Sequence, residues 1–557
     1  MKIATPTKTS SMRIVSQKAA VLFLWLLVQS LAIPSGLGAL SISSAEPSRI
    51  ELTWDNAAGR QYEIRASEDL TFWDGISPSF HLGTGSAVTS AYSVESERQY
   101  WKLAANTAVP TGIHVAKDDP LAGKLVKYND SGELVAIRAF GVNYYDAFMR
   151  YNSNVNDTSF IEGFEYLAEH NIPVCRVLAA PYWPKEWALY FDDPDEYFRR
   201  LDHFIAAAEA KGIGLLLVLF WAYPTIGELV NPAVEAGVLV PDVDFIPSSS
   251  LNVDVNGYPT YAEYKSELGR LNSGSNAFIR HYTTEIVEHY ADSPAIWAWE
   301  FTNEINNGID HPNISAMRKR PGSATHQGMF LPATTTDTDV LPAWTGPDDL
   351  TRAHAEIAKR NFAESVRRID KWRFITSGDS RPRAQAYHNW TEHTWTPDTR
   401  SENLQVMPLD NPDPMDTVTV HVYPGTRGGN PTTYFPNDGP IVIEWQTGQY
   451  YELLSHYMSG SAAIGKPLVL GEFGAPGEGT NADEKETFHR FMQAIVDSEV
   501  QLSLLWTFDT RNRALSNWFM HTGSDPAWPA NEKLYQITNE DPDLWDLEQA
   551  NLELGSY

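Results

Sequence analysis

The sequence predicts an α/β protein: a (β/α)8 TIM barrel preceded by a small all-β sandwich module. Three observations carry this. Past residue 112, eight apolar runs of strand length alternate with amphipathic stretches of helix length. Residues 46–106 instead alternate apolar and polar side chains, the period of half-buried strands. The chain of 557 residues, 43 % hydrophobic and 20 % charged, is long enough for several domains and too apolar for wholesale disorder.

Residues 1–45 contain Lys2, Lys8, Arg13 and Lys18 and no acid. Apolar runs at 19–28 and 31–33 follow, then the small residues Gly36, Gly38 and Ala45. This order reads as a secretory signal, with the start at Met1 or Met12 and the cleavage site left open. A membrane anchor is the rival, but Gln29, Ser30 and Pro34 break the run short of a span. Residues 46–106 form the β module: Ile50, Leu52 and Trp54 share one strand face, Tyr62, Ile64 and Ala66 another, and residues 56–59 turn between them. Residues 107–112, with Pro110, read as a linker.

The barrel is placed at 113–525. Its expected strands are 135–142, 172–178, 214–220, 295–301, 373–377, 417–422, 467–470 and 502–508. Expected helices are 160–170, one capped by Asp195 with Phe198, Leu201, Ile205 and Ala208 on its apolar face, 276–290, 350–369, 450–458 and 483–497. A doubly wound open sheet is the alternative, but no Gly-rich phosphate loop follows the first strand. Long segments at 221–275, 305–349 and 379–416 each follow a strand's C-terminal end, where barrel loops carry function. The acidic segment 526–557 reads as a solvated tail or a docking helix.

With 42 basic and 71 acidic residues the formal charge is −29. That balance argues against nonspecific binding of nucleic acid or an anionic membrane. The lone Cys175 excludes an intrachain disulfide and a Cys-based zinc site.

Two carboxylates stand at expected strand ends. Glu304 closes Trp299-Glu300-Phe301-Thr302-Asn303-Glu304, and Glu472 sits in Leu470-Gly471-Glu472-Phe473-Gly474. By count these end strands four and seven, so both side chains are expected over one face of the barrel. Paired carboxyl groups suit glycoside cleavage, one donating a proton and the other attacking the anomeric carbon. Glu300 alternates onto the same side as Glu304 but deeper, and is expected as a buried partner for Arg176. Cys175 faces opposite to Arg176 and is expected in the core.

On these motifs the sequence resembles glycoside hydrolase family 5, or a near relative in clan A of barrel glycosidases, over the whole barrel. The resemblance implies Glu304 as acid/base, with Asn303 before it, and Glu472 as nucleophile. It implies Arg176 in Pro173-Val174-Cys175-Arg176, His421 and Tyr423 in His421-Val422-Tyr423-Pro424, and Trp506 in Leu505-Trp506-Thr507 as supports. Arg176 and Tyr423 would then hold Glu472 ionised, Asn303 would bond the sugar 2-hydroxyl, and His421 the acid/base or the sugar. Trp506 would floor the reacting ring. The acid needs a raised pKa to stay protonated. Where many members carry a His at the end of strand three, this chain has Leu219-Phe220-Trp221, which leaves the sugar open. Its β module resembles fibronectin type III-like modules, with spacer and sugar-binding roles both possible.

Aromatic faces stack on the C–H faces of sugars. The substrate-binding expectations are Trp506, Asn143, Tyr144, Trp183 and Trp221, with Trp187, Tyr223, Trp390, Trp395 and Trp445 near strand-end loops. The expected activity is a secreted retaining β-glycoside hydrolase acting on a β-linked polysaccharide or oligosaccharide, β-1,4-mannan before β-1,4-glucan. The alternatives are an inactive carbohydrate-binding or scaffold protein, and an exo-acting glycosidase or transglycosylase on the same barrel. No cofactor and no metal are called for, although Asp-rich loops leave structural Ca²⁺ open; oligomeric state is unreadable.

Overall fold

The computed structural model describes the strands at 9–15, 41–46, 49–54, 61–67, 74–82, 88–93 and 98–106. It further describes residues 112–116, 120–129, 131–181, 187–221, 223, 226–239, 267–310, 312, 350–423, 431–444, 447–474, 482–508 and 542–554. The chain divides into two compact units, Met1–Thr111 with Ala116–Ala122, and Gly112–Val115 with Gly123–Tyr557.

The first unit holds two antiparallel sheets. One runs in the order Thr9–Val15, Arg98–Asn106, Gln61–Ser67, Asp74–Leu82; the other Ser41–Glu46, Arg49–Trp54, Val88–Ser93. Residues 9–15 and 41–46, within or at the edge of the expected leader, are strands here. The expected linker lies outside the described residues except for Gly112.

In the second unit the eight barrel strands are β1 (Ala139–Asn143), β2 (Val174–Leu178), β3 (Gly214–Phe220), β4 (Ile296–Thr302), β5 (Phe374–Thr376), β6 (Val418–Val422), β7 (Leu468–Phe473) and β8 (Leu502–Leu505). They are continuous apolar runs because both faces are covered, one by the barrel interior and one by helices. Hydrogen bonds join them in parallel in the order β5-β4-β3-β2-β1-β8-β7-β6. Between β5 and β6 the closure differs. Asp416 N donates to Ile375 O at 2.9 Å and Ile375 N to Asp416 Oδ2 at 2.8 Å, and the Thr376 and Thr419 hydroxyls bond to each other.

Alternation sorts the strand residues. Val174, Leu216, Ala298, Phe374, Val469 and Leu504 face inward and pack with Ile113, Val115, Leu125 and Ile137. The latter come from or adjoin a small antiparallel sheet, His114–Val115, Leu125–Tyr128 and Leu134–Ala136, lodged at the N-terminal ends of the strands. Gln501, just before β8, ties it in by bonding Leu125 O at 3.0 Å and Ile137 O at 2.8 Å. That end is filled, so the C-terminal ends carry the site. The expected first strand, 135–142, is therefore two strands in two sheets, parted where Ile137 turns into this plug and Arg138 reaches Val500 O at 3.2 Å.

The helix Pro194–Lys211 is capped by Asp193, whose Oδ1 accepts Glu196 N at 3.1 Å, not by Asp195. Pro194 has no N–H to satisfy and takes the first helical position, which leaves Asp195 in the first turn. The helix Pro542–Leu554 docks on the barrel: buried Asn551 accepts Phe140 N at 2.8 Å and donates to Phe140 O at 2.9 Å. Among the described residues, no helix is long and apolar enough to cross a membrane.

Candidate active site

The site is built at the C-terminal ends of the strands, with Arg176 and Glu300 two residues further in. On β2, Val174 faces inward and Cys175 outward, so Arg176 points in, fully buried. On β4 the same parity turns Trp299 and Phe301 to the helices and Glu300 inward. Arg176 Nε and Nη2 bond Glu300 Oε1 at 2.7 and 2.6 Å; Nη1 reaches Glu472 Oε1 at 2.8 Å and Asn143 Oδ1 at 3.0 Å. Its Nη2 also donates to Asn303 Oδ1 at 2.9 Å, and the guanidinium lies 4.5 Å from the Trp221 ring centre.

Glu472 owes its direction to an irregularity in β7. Val469 faces in and Leu470 out, so strict alternation would turn Glu472 outward. The register shifts at this point against both β6 and β8, pairing His421 with Glu472 and sending Phe473 to the helix layer. Gly471 takes the extra place because a Cβ there would lie 2.8 Å from His421 Nε2 and 2.9 Å from Thr419 Cγ2. Its carbonyl accepts Asn143 Nδ2 at 3.0 Å. Tyr423 OH donates to Glu472 Oε2 at 2.6 Å, so both carboxylate oxygens are held.

Glu304 has a positive φ of 50°, a left-handed conformation that disfavours side chains. Neighbouring bonds hold it: its N–H donates to Gly378 O at 2.8 Å, past the end of β5, and Asn307 N donates to Glu304 O at 3.0 Å. His421 Nδ1 lies 2.9 Å from Glu304 Oε1 and 3.5 Å from Glu472 Oε1. Oxygen and nitrogen atoms of Glu304, His421 and Glu472 all lie within 4.8 Å of one another, the one such trio among the described residues. The cation bound beside it is the chain's own Arg176.

Burial pushes the Glu304 carboxyl up, but the hydrogen bond and charge of His421, with Arg381 and Arg176, outweigh it. The group therefore stands below its ordinary value in the unliganded site, where the sequence argument expects it raised. The difference lies in the direct His421 contact. Burial pushes Glu300 up, Arg176 only partly offsetting it. Arg176 stands above its ordinary value because the two carboxylates outweigh its desolvation.

Arg176, Asn303, Glu304, His421, Tyr423 and Glu472 thus converge. Trp506 and Trp221 join them, with ring centres 5.8 Å apart. Asn143, expected beside the sugar, is fully buried and braces Arg176 and β7 instead. Tyr144 is also corrected: it is fully buried in the helix layer, against Phe164 and Phe508 and bonded by Arg150 Nη2 at 3.0 Å. Tyr145 faces the site side but is itself buried, stacked behind Trp506 at 4.8 Å and near Trp221 at 5.9 Å. Parity was the missed signal: Asn143 faces in, Tyr144 out and Tyr145 in. Trp187 is core, packed on Phe278 and Tyr282, while Trp390 and Trp395 are exposed. Trp183 and Trp445 lie outside the described residues.

Arg381 also belongs to the site, though no motif in the sequence marks it. It follows β5, donates to Tyr434 OH at 2.6 Å and His421 O at 2.9 Å, and bears on Glu304.

A family model, cellulase (glycosyl hydrolase family 5), matches residues 164–510. The chain belongs to glycosyl hydrolase family 5. The match spans β2 to β8 and every converging residue named above, and the family makes the chain a glycosidase. Solved structures similar to this family 5 chain include an endo-β-1,4-mannanase from Thermotoga petrophila, 15 % identical, covering 75 % of this chain and 77 % of that one, TM-score 0.44. Another is a family 5 mannosidase from Rhizomucor miehei, 12 % identical, covering 80 % and 97 %, TM-score 0.45. A third is the endoglucanase Cel5A from Pseudomonas stutzeri, 14 % identical, covering 77 % and 97 %, TM-score 0.39. Among curated proteins, comparison finds no match.

Proposed function

We propose that this family 5 glycosidase is a secreted, retaining β-glycoside hydrolase that cleaves a β-1,4-linked polysaccharide or oligosaccharide, mannan before glucan. One observation carries the reading: Glu304 and Glu472 oxygens meet within 4.8 Å around His421. Retaining enzymes hold their carboxyl groups about 5–5.5 Å apart, and inverting ones about 6.5–9.5 Å, to admit a water.

In the first step Glu472 attacks the anomeric carbon while Glu304 gives its proton to the departing oxygen. The C–O bond breaks and a glycosyl ester of Glu472 forms. Arg176 and Tyr423 keep Glu472 ionised beforehand through charge-assisted bonds. Glu304 then takes a proton from water, which attacks the same carbon and frees Glu472. Bound sugar would strip water from Glu304, and the ionised Glu472 beside it would push its carboxyl up, towards the donor state the first step needs. With Asn303 Oδ1 taken by Arg176, its NH2 is the edge left to bond a sugar hydroxyl. Trp506 and Trp221 supply an apolar floor, backed by the buried Tyr145. The aromatic Trp221, in place of a His after β3, supports the preference for mannan.

Secretion rests on the basic, apolar and small-residue order of residues 1–45. We read the β unit as a fibronectin type III-like spacer. The test is the anomer of the first product, followed by proton NMR on β-mannan, β-glucan and xylan. The β-anomer is expected first from mannan; the α-anomer would refute the retaining mechanism, and turnover of glucan alone the sugar.

A further inference from the structure

We propose that Glu300 is a positioning residue for this reaction, holding Arg176 between two carboxylates so that only part of the guanidinium charge bears on Glu472. The proposal rests on the assignment of Glu472 as nucleophile.

Arg176 and Glu300 are both fully buried. Glu300 Oε1 takes two guanidinium nitrogens, at 2.7 and 2.6 Å, while Oε2 has no hydrogen-bond partner among the described residues. A buried pair of this kind is poor evidence for stability, since well-packed apolar residues often serve as well. An oxygen left idle in the barrel makes it costlier still. The arrangement makes sense in the chemistry instead. A nucleophile must be ionised but not pinned. One cation given wholly to Glu472 would hold its electron pairs too firmly; a second carboxylate on the same cation loosens that hold.

The charged and titratable groups facing Glu472 are Arg176 from β2, Glu300 and Glu304 from β4 and its end, and His421 and Tyr423 from β6 and its end. Arg381, after β5, bears on Glu304. Glu300→Gln keeps the shape and an acceptor for Arg176 but removes one negative charge. Less negative charge then surrounds the two catalytic carboxyl groups. The whole profile of kcat/KM against pH slides down, by about one pH unit, so that kcat/KM on the alkaline limb of the wild-type profile falls about tenfold, while at the wild-type optimum it falls by less than about fourfold. Glu300→Asp draws the carboxylate one methylene back from Nε and slides the profile the same way by less.

The experiment is the kcat/KM–pH profile of the full chain for wild type, E300Q and E300D, with E472Q as the marker of the underlying assignment. A slide in both Glu300 variants supports the proposal. A lower profile that does not slide, or an unchanged one, overturns it and leaves Glu300 structural. Should E300Q not fold, E300D decides by the same readout. Turnover retained by E472Q would instead remove the nucleophile assignment, whatever Glu300 does.

Discussion

Gly378 is the hinge between β5 and the acid/base, and Gly378→Ala is the sharpest test of how Glu304 is held. Its φ is +73°, and its carbonyl accepts Glu304 N at 2.8 Å. A Cβ would stand 1.8 Å from Thr302 O and 2.7 Å from Glu300 Oε1. The first neighbour is backbone and cannot rotate away. Left-handed backbone costs a side chain about 1–2 kcal/mol. Crowding a packed site adds about 1–3 kcal/mol. The expected loss is therefore about 2–5 kcal/mol. Gly212→Ala is the control: its φ is +69° with nothing within 4 Å, so it bears the conformational cost alone, about 1–2 kcal/mol. Urea unfolding of both variants separates the two contributions. Activity should separate them further, because pushing β5 from Thr302 moves Glu304, and a 1 Å misplacement costs about 10²-fold. If Gly378→Ala were no less stable than Gly212→Ala and kept full turnover, the account of Glu304's support would be wrong.

Tyr423→Phe removes the 2.6 Å bond to Glu472 Oε2, so the nucleophile loses one of the groups that orient it. kcat/KM is expected to fall by about 10- to 100-fold in steady-state assays, a charged hydrogen bond being worth about 1.5–3 kcal/mol, and an unchanged value would refute that role. Asp370 is held below its ordinary value: burial opposes ionisation, but Arg373, the Trp299 indole, Arg367 and Trp372 N outweigh it. A depressed carboxyl stabilises the fold above its unfolded pKa and loses that contribution as pH falls through its folded one. Asp370→Asn should therefore cost about 3–5 kcal/mol at neutral pH, and the gap from wild type should narrow below about pH 4 in urea titrations. Asn551→Ala leaves Phe140 N–H, Phe140 C=O and Asn171 C=O without their partner. At about 1–3 kcal/mol per unmet buried group, a drop of several degrees or more in Tm is expected; an unchanged Tm would mean the helix does not dock.

The barrel was legible because its strands are buried on both faces and stand out as apolar runs. The reading of 214–220 coincides with Gly214–Phe220, and 417–422 differs from Val418–Val422 by one residue. It failed at 135–142, where hydropathy cannot say that Ile137 leaves one sheet before Ala139 joins another. Glu304 and Glu472 were legible as acids ending apolar runs. How Glu472 faces the site was not, since the irregularity at Gly471 shows only in the pairing with β6 and β8. Tyr145 needed parity counted past the strand end. Arg381 comes from a long segment whose path no local pattern fixes.

The seam between β5 and β6 has a consequence for how this barrel varies. Its eight strands in line share seven joints made by backbone groups, which every residue type brings along. Substitution barely touches such joints. The eighth keeps one backbone bond, Asp416 N to Ile375 O, and is otherwise stitched by Asp416, Thr376 and Thr419, three side chains that single base changes can erase. It joins β5, which leads to Gly378, to β6, which carries His421, so the wall next to the proton donor is the part of the barrel that leans on choice of residue.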